Sequence, residues 1–241
     1  MQTSAQLIKE PDAKPVVGTT MTYRSLLKAD AFSEGILSDI SNGNLDDAFH
    51  SLGLKRYSIW IHRDPDAEVS MWEGTEIDTL LERFATSSHP VLARWRGQIR
   101  VLSGPEAAEG FWDASRHGIF SWTSDQEGED SRIRVFRGAA EVQALVRLFE
   151  DIGNDAAHLR VLDRIRRSQG FTRIEMWTQQ VGEETLLLNL YEGHNLERSL
   201  SLLEAESNRF DKRMMQVRRA AERGPRGLAQ PAAKLLVDWR G

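Results

Sequence analysis

The sequence predicts an α+β protein in which one βαββαβ unit occurs twice within a chain of 241 residues. The main observation is a repeated segment, because residues 53–60 match residues 170–177 at a spacing of 170 − 53 = 117 residues, with glycine, arginine and tryptophan identical. Two shorter matches keep the same order, namely Trp72-Glu73-Gly74 with Tyr191-Glu192-Gly193, and Tyr23-Arg24 with Phe136-Arg137. Three ordered matches at similar spacing indicate an internal repeat.

The first copy is predicted to begin with a strand over residues 20–27, rich in Thr, Tyr and Leu. A helix over 31–52, interrupted near Asn42-Gly43, ends at Gly53, where a left-handed cap is favoured. Strands over 55–62 and 68–73 follow, joined by a turn at Asp64-Pro65-Asp66. Apolar residues at positions 77, 80, 81 and 84 have helical 3,4 spacing, and residues 98–102 are predicted to form the last strand.

The second copy is predicted to have the same order of elements. Strands are expected over residues 132–137, 172–179, 185–192 and 234–239, and helices over 142–168 and 196–219. Strand, helix, hairpin, helix, strand is the ferredoxin-like pattern. Its helices cover one face of the sheet, so the other face needs a partner, and the second copy is predicted to supply it. The two sheets would then form an intrachain α/β-barrel-like pseudo-dimer.

The predicted organisation has four parts: a flexible tail over residues 1–17, a first repeat over 18–104, a linker or flap over 105–130, and a second repeat over 131–241. The linker is acidic but contains four aromatic residues, Phe111, Trp112, Phe120 and Trp122. A plain linker would not need them, so part of this stretch is predicted to pack as a short helix or flap.

The composition argues against several classes of partner and of chemical site. A net charge of −5 argues against a nucleic-acid partner, which would favour a basic face. The chain has no cysteine, so disulfides, thiolate metal sites and cysteine nucleophiles are excluded. No apolar run is long enough to cross a bilayer, and the first residues lack the apolar core of a signal peptide. We therefore expect a cytoplasmic protein whose partners are a small-molecule ligand and a second copy in a homodimer, without nucleic acid or membrane.

Several segments resemble one known family. Residues 54–60, Trp72-Glu73-Gly74, Ser87-Ser88-His89-Pro90 and residues 95–104 resemble the small dimeric α/β-barrel proteins of ferredoxin-like type, related to antibiotic-biosynthesis monooxygenases and cyclase-like proteins. The resemblance covers residues 20–104 well and 132–240 more loosely, since Ser207-Asn208-Arg209-Phe210 has no matching proline. It implies a small-molecule pocket between two sheets. The wider superfamily includes cofactor-free oxygenases, polyketide cyclases and haem-binding or haem-degrading proteins, so the fold alone does not define a reaction.

Strand alternation predicts which side chains point between the sheets. In the first copy these are Arg56, Trp60 and His62, and in the second they are Arg173, Glu175, Trp177 and Gln179. His62 or Glu175 is the predicted general base, because each occurs in one copy only and can be tuned by burial. Arg56 and Arg173 are predicted to hold an anionic or enolate oxygen, and Trp60 and Trp177 to wall a flat ligand. Tyr23 and Tyr191 complete the predicted substrate-binding set.

Each of these residues also has a structural interpretation. The two arginines could be ion-pair partners of Glu73 or Glu192, the tryptophans could be core residues, and His62 could be a structural residue at a strand end. The other histidines, at positions 50, 89, 117, 158 and 194, show no close grouping, so neither a metal nor a cofactor is expected.

Three functions follow from the sequence. The first is a cofactor-independent enzyme performing cyclisation, dehydration or oxygenation on a flat or polyketide-like molecule. The second is a binding or scaffold protein without turnover, whose interior is filled by its own tryptophans. The third is a haem-binding protein that uses one of the isolated histidines.

Overall fold

The computed structural model describes residues 17–42, 45–63, 66–103, 116–137, 139–205, 208–222 and 233–241. Its strands are β1 (Val17–Ser25), β2 (Leu54–Arg63), β3 (Asp66–Thr75), β4 (Arg116–Thr123), β5 (Asp130–Arg137), β6 (Phe171–Val181), β7 (Glu184–Gly193) and β8 (Lys234–Arg240). Within these ranges its helices are α1 (Ala29–Ser41), α2 (Asp46–Ser51), α3 (Ile77–Thr86), α4 (Pro90–Ser103), α5 (Ala139–Gly153), α6 (Ala156–Gln169), α7 (Leu196–Glu204) and α8 (Arg209–Glu222).

The strands form two four-stranded antiparallel sheets with orders β1-β3-β2-β8 and β4-β6-β7-β5. The two orders correspond: β8, predicted as the last strand of the second copy, lies in the sheet of β1, β2 and β3, and β4, from the predicted linker, lies in the sheet of β5, β6 and β7. We call β4 and β8 the exchanged strands. β8, the last strand, pairs with β2 of the first sheet, and β4 pairs with β6 of the second. This mixed α+β architecture is consistent with a duplicated ferredoxin-like fold.

The predicted strand over residues 98–102 is wrong, because these residues belong to α4. Pro90 opens that helix, at the position where its missing N–H costs least. Leu92, Trp95 and Ile99 then follow with helical spacing and are all buried. A single helical face therefore explains the apolar pattern better than a short strand.

The stretch predicted as a linker over residues 105–130 differs from the prediction because it contains the edge strand β4. Phe120 and Trp122 are buried against the helices of the second sheet, which explains two of the four aromatic residues. Phe111 and Trp112 lie outside the described residues, as do residues 1–16 of the predicted tail over 1–17, whose last residue begins β1. Among the helices of the described ranges, none is both long and apolar enough to span a bilayer.

The long predicted helices are each divided into two. The predicted helix over 142–168 ends at Gly153 and restarts at Ala156, because Asp155 caps the second helix by accepting hydrogen bonds from Ala157 N and His158 N at 2.7 and 3.3 Å. Gly53 and Gly170 both adopt left-handed backbone, with φ of 73° and 86°, as the sequence predicted for Gly53. Gly53 and Gly170 directly precede β2 and β6 and occupy corresponding positions in the two matched segments.

Three apolar cores hold the layers together. One lies between the first sheet and its helices and includes Tyr57, Trp72 and Trp95, whose rings are in mutual contact. A second lies between the other sheet and its helices. The third lies between the two sheets and joins both halves of the chain, with the buried members Met21, Tyr23, Trp60, Ala67, Val69, Met71, Ile133, Val135, Leu186, Leu188, Leu190 and Ala233. We call this third cluster the intersheet core.

The Gln179 side chain links the two sheets at one edge of the intersheet core. Its Oε1 accepts a hydrogen bond from Tyr23 N at 2.6 Å, and its Nε2 donates to Tyr23 O at 2.8 Å. The amide therefore pairs with β1 as a neighbouring strand would, although Gln179 belongs to β6 in the other sheet. Because Gln179 is almost fully buried, losing it would leave two backbone groups without their partner.

Replacing Gln179 by alanine is expected to lower the free energy of unfolding by about 2 kcal/mol, since two buried backbone groups lose their hydrogen bonds. Urea denaturation followed by fluorescence measures the change. The control is Gln143→Ala at an exposed position of α5, which should change stability little. Equal stability of the two variants would show that this link contributes nothing.

Candidate functional site

Arg56 and Arg173 lie at one end of the intersheet core, each on the first inward position of its strand. Arg56 Nη1 is 2.7 Å from Glu192 Oε1, and Arg56 Nε donates to Asp238 Oδ1 at 2.7 Å. Ser58 Oγ also donates to Asp238 Oδ1, at 2.6 Å. Two strands of the first sheet, β2 and β8, thus hold an arginine that pairs with β7 of the second sheet.

Arg173 makes the reciprocal contacts from the second sheet. Its Nη1 donates to Glu73 Oε2 at 2.6 Å and its Nη2 to Thr19 Oγ1 at 2.7 Å, both across the sheet boundary. Its Nε donates to Glu175 Oε1 at 3.1 Å on the same strand. Each arginine thus pairs with the glutamate of the opposite sheet. The structural interpretation of the two arginines, as ion-pair partners of Glu73 or Glu192, is confirmed, with Arg56 paired to Glu192 and Arg173 to Glu73.

Glu175 is the most unusual group of this cluster, because it is a carboxylate with only 3% of its surface exposed. Ser121 Oγ on the edge strand β4 donates to its Oε1 at 2.9 Å, in addition to Arg173 Nε. Burial raises the pKa of Glu175 above its ordinary value, and the hydrogen bonds and the positive charge of Arg173 only partly oppose this. A carboxyl whose pKa is shifted towards neutral pH is better matched to proton transfer than one at its ordinary value.

The raised pKa of Glu175 predicts a specific pH dependence of stability. The folded protein holds this proton more tightly than the unfolded chain, so the stabilisation is complete below the ordinary pKa of 4.5 and is lost as pH rises through the folded pKa. The free energy of unfolding of wild type relative to Glu175→Gln is therefore expected to fall as pH rises from 4 towards neutrality. Urea denaturation at a series of pH values measures it. A flat difference across this pH range would refute the raised pKa of Glu175.

A cleft of about 350 Å³ opens directly above this ion-paired cluster. Its walls come from the starts of β2 and β6, the ends of β3, β7 and β8, and the turn between β4 and β5. The lining residues are Lys55, Arg56, Glu73, Thr123, Ser124, Asp125, Gln126, Glu127, Gly128, Arg173, Glu192, Arg240 and Gly241. The volume is within the range of about 300–1,000 Å³ common for small-molecule sites.

The charges in the cleft are nearly balanced. Four cationic side chains line it, and four carboxylates face them. Arg240 bridges the rim, with its Nη1 2.7 Å from Glu127 Oε2 and its Nη2 3.1 Å from Asp238 Oδ2. Burial alone would lower the pKa of Arg173, but the charges of Glu175 and Glu73 outweigh it and raise that pKa. Arg173 is thus held in its charged form, so an anionic ligand reaching it must compete with a glutamate.

Of the two carboxylates paired with Arg173, Glu73 is the one that a ligand would displace more easily. Its side chain is 23% exposed, whereas those of Glu175 and Glu192 are 4% and 7% exposed. Glu73 can therefore rotate into solvent at a lower desolvation cost than the other two. The guanidinium of Arg173 would then present Nη1 to the cleft while its Nε keeps Glu175 in place.

The structure does not bring the two predicted catalytic residues together. His62 lies six residues from Arg56 along β2, about 20 Å of extended strand, and is buried near the far end of the sheet. Glu175 lies two residues from Arg173 on β6. It does not itself line the cleft, but it accepts a hydrogen bond from Arg173, which does.

The predicted aromatic walls lie elsewhere. Trp60 is fully buried inside the intersheet core, and Trp177 packs partly buried against the same core. Tyr23 is also an intersheet core residue, whereas Tyr191 faces the helices of the second sheet, beside Phe171. These four residues are absent from the lining of the cleft.

Sequence reasoning missed several residues of the site, namely Thr19, Ser121, Glu127, Asp238 and Arg240. Most of them reach the cluster through the exchanged strands β4 and β8. The sequence did indicate that Asp238 could point inward. It is the single carboxylate of the predicted strand over 234–239, and it lies on the opposite face of that strand from its neighbour Trp239. Its inward direction follows from that alternation, but the sheet it joins does not.

The histidines are dispersed. His50, His117 and His194 are exposed, and His89 and His158 are partly exposed. Within the described ranges, no three His, Asp or Glu side chains are grouped as a metal site requires. No histidine lines the cleft.

No protein-family model matches the chain, and no curated protein matches it in sequence. Two solved structures align with nearly all of it. One is named an anthrone oxidase-like protein, with a TM-score of 0.48 and 10% identity over 95% of this chain and 94% of that chain. The other is named "Putative monooxygenase" from Fusobacterium nucleatum subsp. nucleatum, with a TM-score of 0.46 and 7% identity over 93% and 94%. At this distance neither similarity assigns an activity or a site residue to the chain.

Proposed function

We propose that the protein is an enzyme that acts on a small organic molecule bound in the cleft, with Glu175 as its general base. The observation that carries this proposal is the Glu175 carboxyl, buried, raised in pKa and 3.1 Å from an arginine that borders the cleft. Burying a carboxylate costs free energy unless the group is paired and fully hydrogen-bonded. Here the partners leave its pKa raised, which is the condition a general base requires.

The proposed reaction begins with proton abstraction by Glu175 from a C–H or O–H group of the substrate. The negative charge that develops on the substrate oxygen would be stabilised by Arg173, whose Nη1 becomes available when Glu73 rotates away. Ser121 keeps the Glu175 carboxyl oriented through the bond to Oε1. Cyclisation, dehydration and oxygenation can each begin with this step, and we assign no cofactor to it.

The lining of the cleft supports a polar substrate. Its walls carry guanidinium, carboxylate and hydroxyl groups, while Trp60 and Trp177 lie outside it. A substrate with an ionisable oxygen next to an acidic C–H bond, such as a β-keto acid, matches both Arg173 and Glu175. This proposal replaces the flat, Trp-walled ligand expected from the sequence.

We also infer that the two sheets are the halves of an intrachain pseudo-dimeric barrel that arose by duplication. The matched segments starting at Gly53 and Gly170 support this, since both put an arginine beside the same ion-paired cluster. Gln179 joins the edge strand β1 to β6, and β8 lies against β5 at the opposite edge. The repeat boundaries over 18–104 and 131–241 remain part of the proposal.

A second candidate function is a binding or scaffold protein without turnover. The filled centre of the molecule favours it, because Trp60, Met71 and Leu188 pack together where a barrel enzyme would hold its ligand. Haem binding stays a prediction that no observation tests. No histidine lines the cleft.

Hydrogen exchange separates the two candidates. Acetoacetate is dissolved in D₂O with and without the protein, and loss of its methylene proton signal is followed by NMR. The enzyme proposal expects the protein to accelerate exchange with saturation in acetoacetate concentration, because Glu175 removes the proton and solvent deuterium returns. Unchanged exchange with acetoacetate and with a panel of other small β-keto acids would favour the scaffold function.

A further inference from the structure

A second cavity lies in the helical layer of the second half, away from the cleft. It has a volume of about 210 Å³ and is formed between α5, α6 and α8. Its floor is apolar and consists of Leu148, Ile152 and Phe210, all three largely buried. A cavity below the usual range for drug-sized ligands suits a small molecule with a short apolar body.

The rim of this cavity is cationic. Arg209 and Arg213 project from the first two turns of α8, and the Arg209 guanidinium carbon lies 5.0 Å from the centre of the Phe210 ring. In the described part of the chain no carboxylate pairs with Arg209. Arg213 is held only loosely, with Nη2 3.7 Å from Asp151 Oδ2, and both of these side chains are more than half exposed.

His158 forms the remaining side of the cavity. Its ring meets Phe210 edge-on, at 5.6 Å between ring centres and 83° between planes. Its Nδ1 is 3.2 Å from Asp155 Oδ2, so the charge of Asp155 is directed to the histidine and not to the arginines. The rim therefore carries two arginines against one carboxylate, Asp151, and has an excess of positive charge.

We propose that this cavity is a binding site for a small amphiphilic monocarboxylate. The apolar body would lie on Leu148, Ile152 and Phe210, where burial of its methylene groups stabilises the complex. The carboxylate would bind Arg209 and Arg213 in charge-assisted hydrogen bonds, with Asp151 released to solvent. The site is separate from the cleft and does not depend on the proposed activity.

Isothermal titration calorimetry with octanoate as the probe tests this site. Saturable binding at one site per chain is expected for wild type. Arg209→Gln and Arg213→Gln should each weaken octanoate binding about tenfold, the effect of one lost charge-assisted hydrogen bond. The matched control Arg164→Gln, an exposed arginine of α6 outside the cavity, should bind like wild type. Circular dichroism confirms that the variants are folded.

Two companion probes show which part of octanoate is recognised. Octan-1-ol has the apolar body without the charge, and acetate has the charge without the body, so both should bind at least about tenfold more weakly. Octanol binding as tightly as octanoate, or an equal loss for Arg164→Gln, would overturn the proposal. Absence of octanoate binding would also overturn it. Self-association in sedimentation that depends on the cavity residues would then identify a second copy of the chain as the occupant.

Discussion

Replacing Glu175 by glutamine is expected to lower the protein-catalysed exchange of acetoacetate by a factor of about 10²–10⁴, the usual contribution of a general base. Glutamine has nearly the same shape and still accepts the hydrogen bonds from Ser121 and Arg173 at its carbonyl oxygen. It cannot take a proton from the substrate. The measurement is the saturating rate and the half-saturating concentration of exchange by NMR in D₂O.

The controls for this variant separate a catalytic from a structural role. Ser121→Ala removes only the hydrogen bond that orients the carboxyl, so it should lower the rate by less than Glu175→Gln and leave half-saturation nearly unchanged. His62→Ala tests the other base predicted from the sequence and should leave the rate within a few-fold, provided that the variant folds. A rate that falls for His62→Ala and not for Glu175→Gln would reverse the assignment.

Replacing Asp211 by alanine is expected to lower the free energy of unfolding by about 3–5 kcal/mol, the cost of breaking a buried ion pair. Asp211 is fully buried near the start of α8, and its Oδ1 is 2.5 Å from Arg166 Nη1. Its Oδ2 accepts from Gln169 Nε2 at 2.6 Å and from Asn208 Nδ2. Alanine would leave the charge of Arg166 buried without a carboxylate, with Gln169 Oε1 at 2.7 Å and the centre of the Phe171 ring 6.0 Å from its guanidinium carbon.

Two comparisons interpret the Asp211 result. The partly exposed pair of Arg134 and Glu204 provides the control, and Glu204→Ala should cost less than about 1 kcal/mol. A double variant that replaces Arg166 by methionine and Asp211 by leucine should recover most of the lost stability, because no charge then remains buried. Urea denaturation measures all three variants. A cost for Asp211→Ala as small as that for Glu204→Ala would mean that water reaches the Arg166 guanidinium.

Much of the fold was predictable because strand and helix periodicity are local properties. The alternation in residues 55–62 and 172–179 correctly placed Arg56, Trp60, Arg173 and Glu175 between the sheets. The exchange of β4 and β8 was not predictable, since it depends on which distant strand edge each one meets. The match of Tyr23 with Phe136 was also misleading, because Tyr23 faces the other sheet and Phe136 faces the helices.

The candidate site was predicted in part. Alternation shows which face of a strand a residue occupies but not at which end of the sheet it lies. Both His62 and Glu175 were predicted on the inward face, so alternation alone did not choose between them. Counting residues along β2 would have separated His62 from Arg56. Thr19 and Asp238 could not be assigned to the site, because their partners come from segments 154 and 182 positions away.

The most direct test of the central claim is an NMR titration of acetoacetate into protein labelled at glutamate carboxyl carbons and arginine side-chain nitrogens. The proposed function predicts that saturating acetoacetate shifts the Glu175 carboxyl carbon and the Arg173 guanidinium signals, and that Glu175→Gln abolishes the first without removing the second. Shifts confined to signals outside the cleft, with Glu175 and Arg173 unchanged, would contradict it. In that case the ion-paired cluster would be a link between the sheets and not a catalytic site.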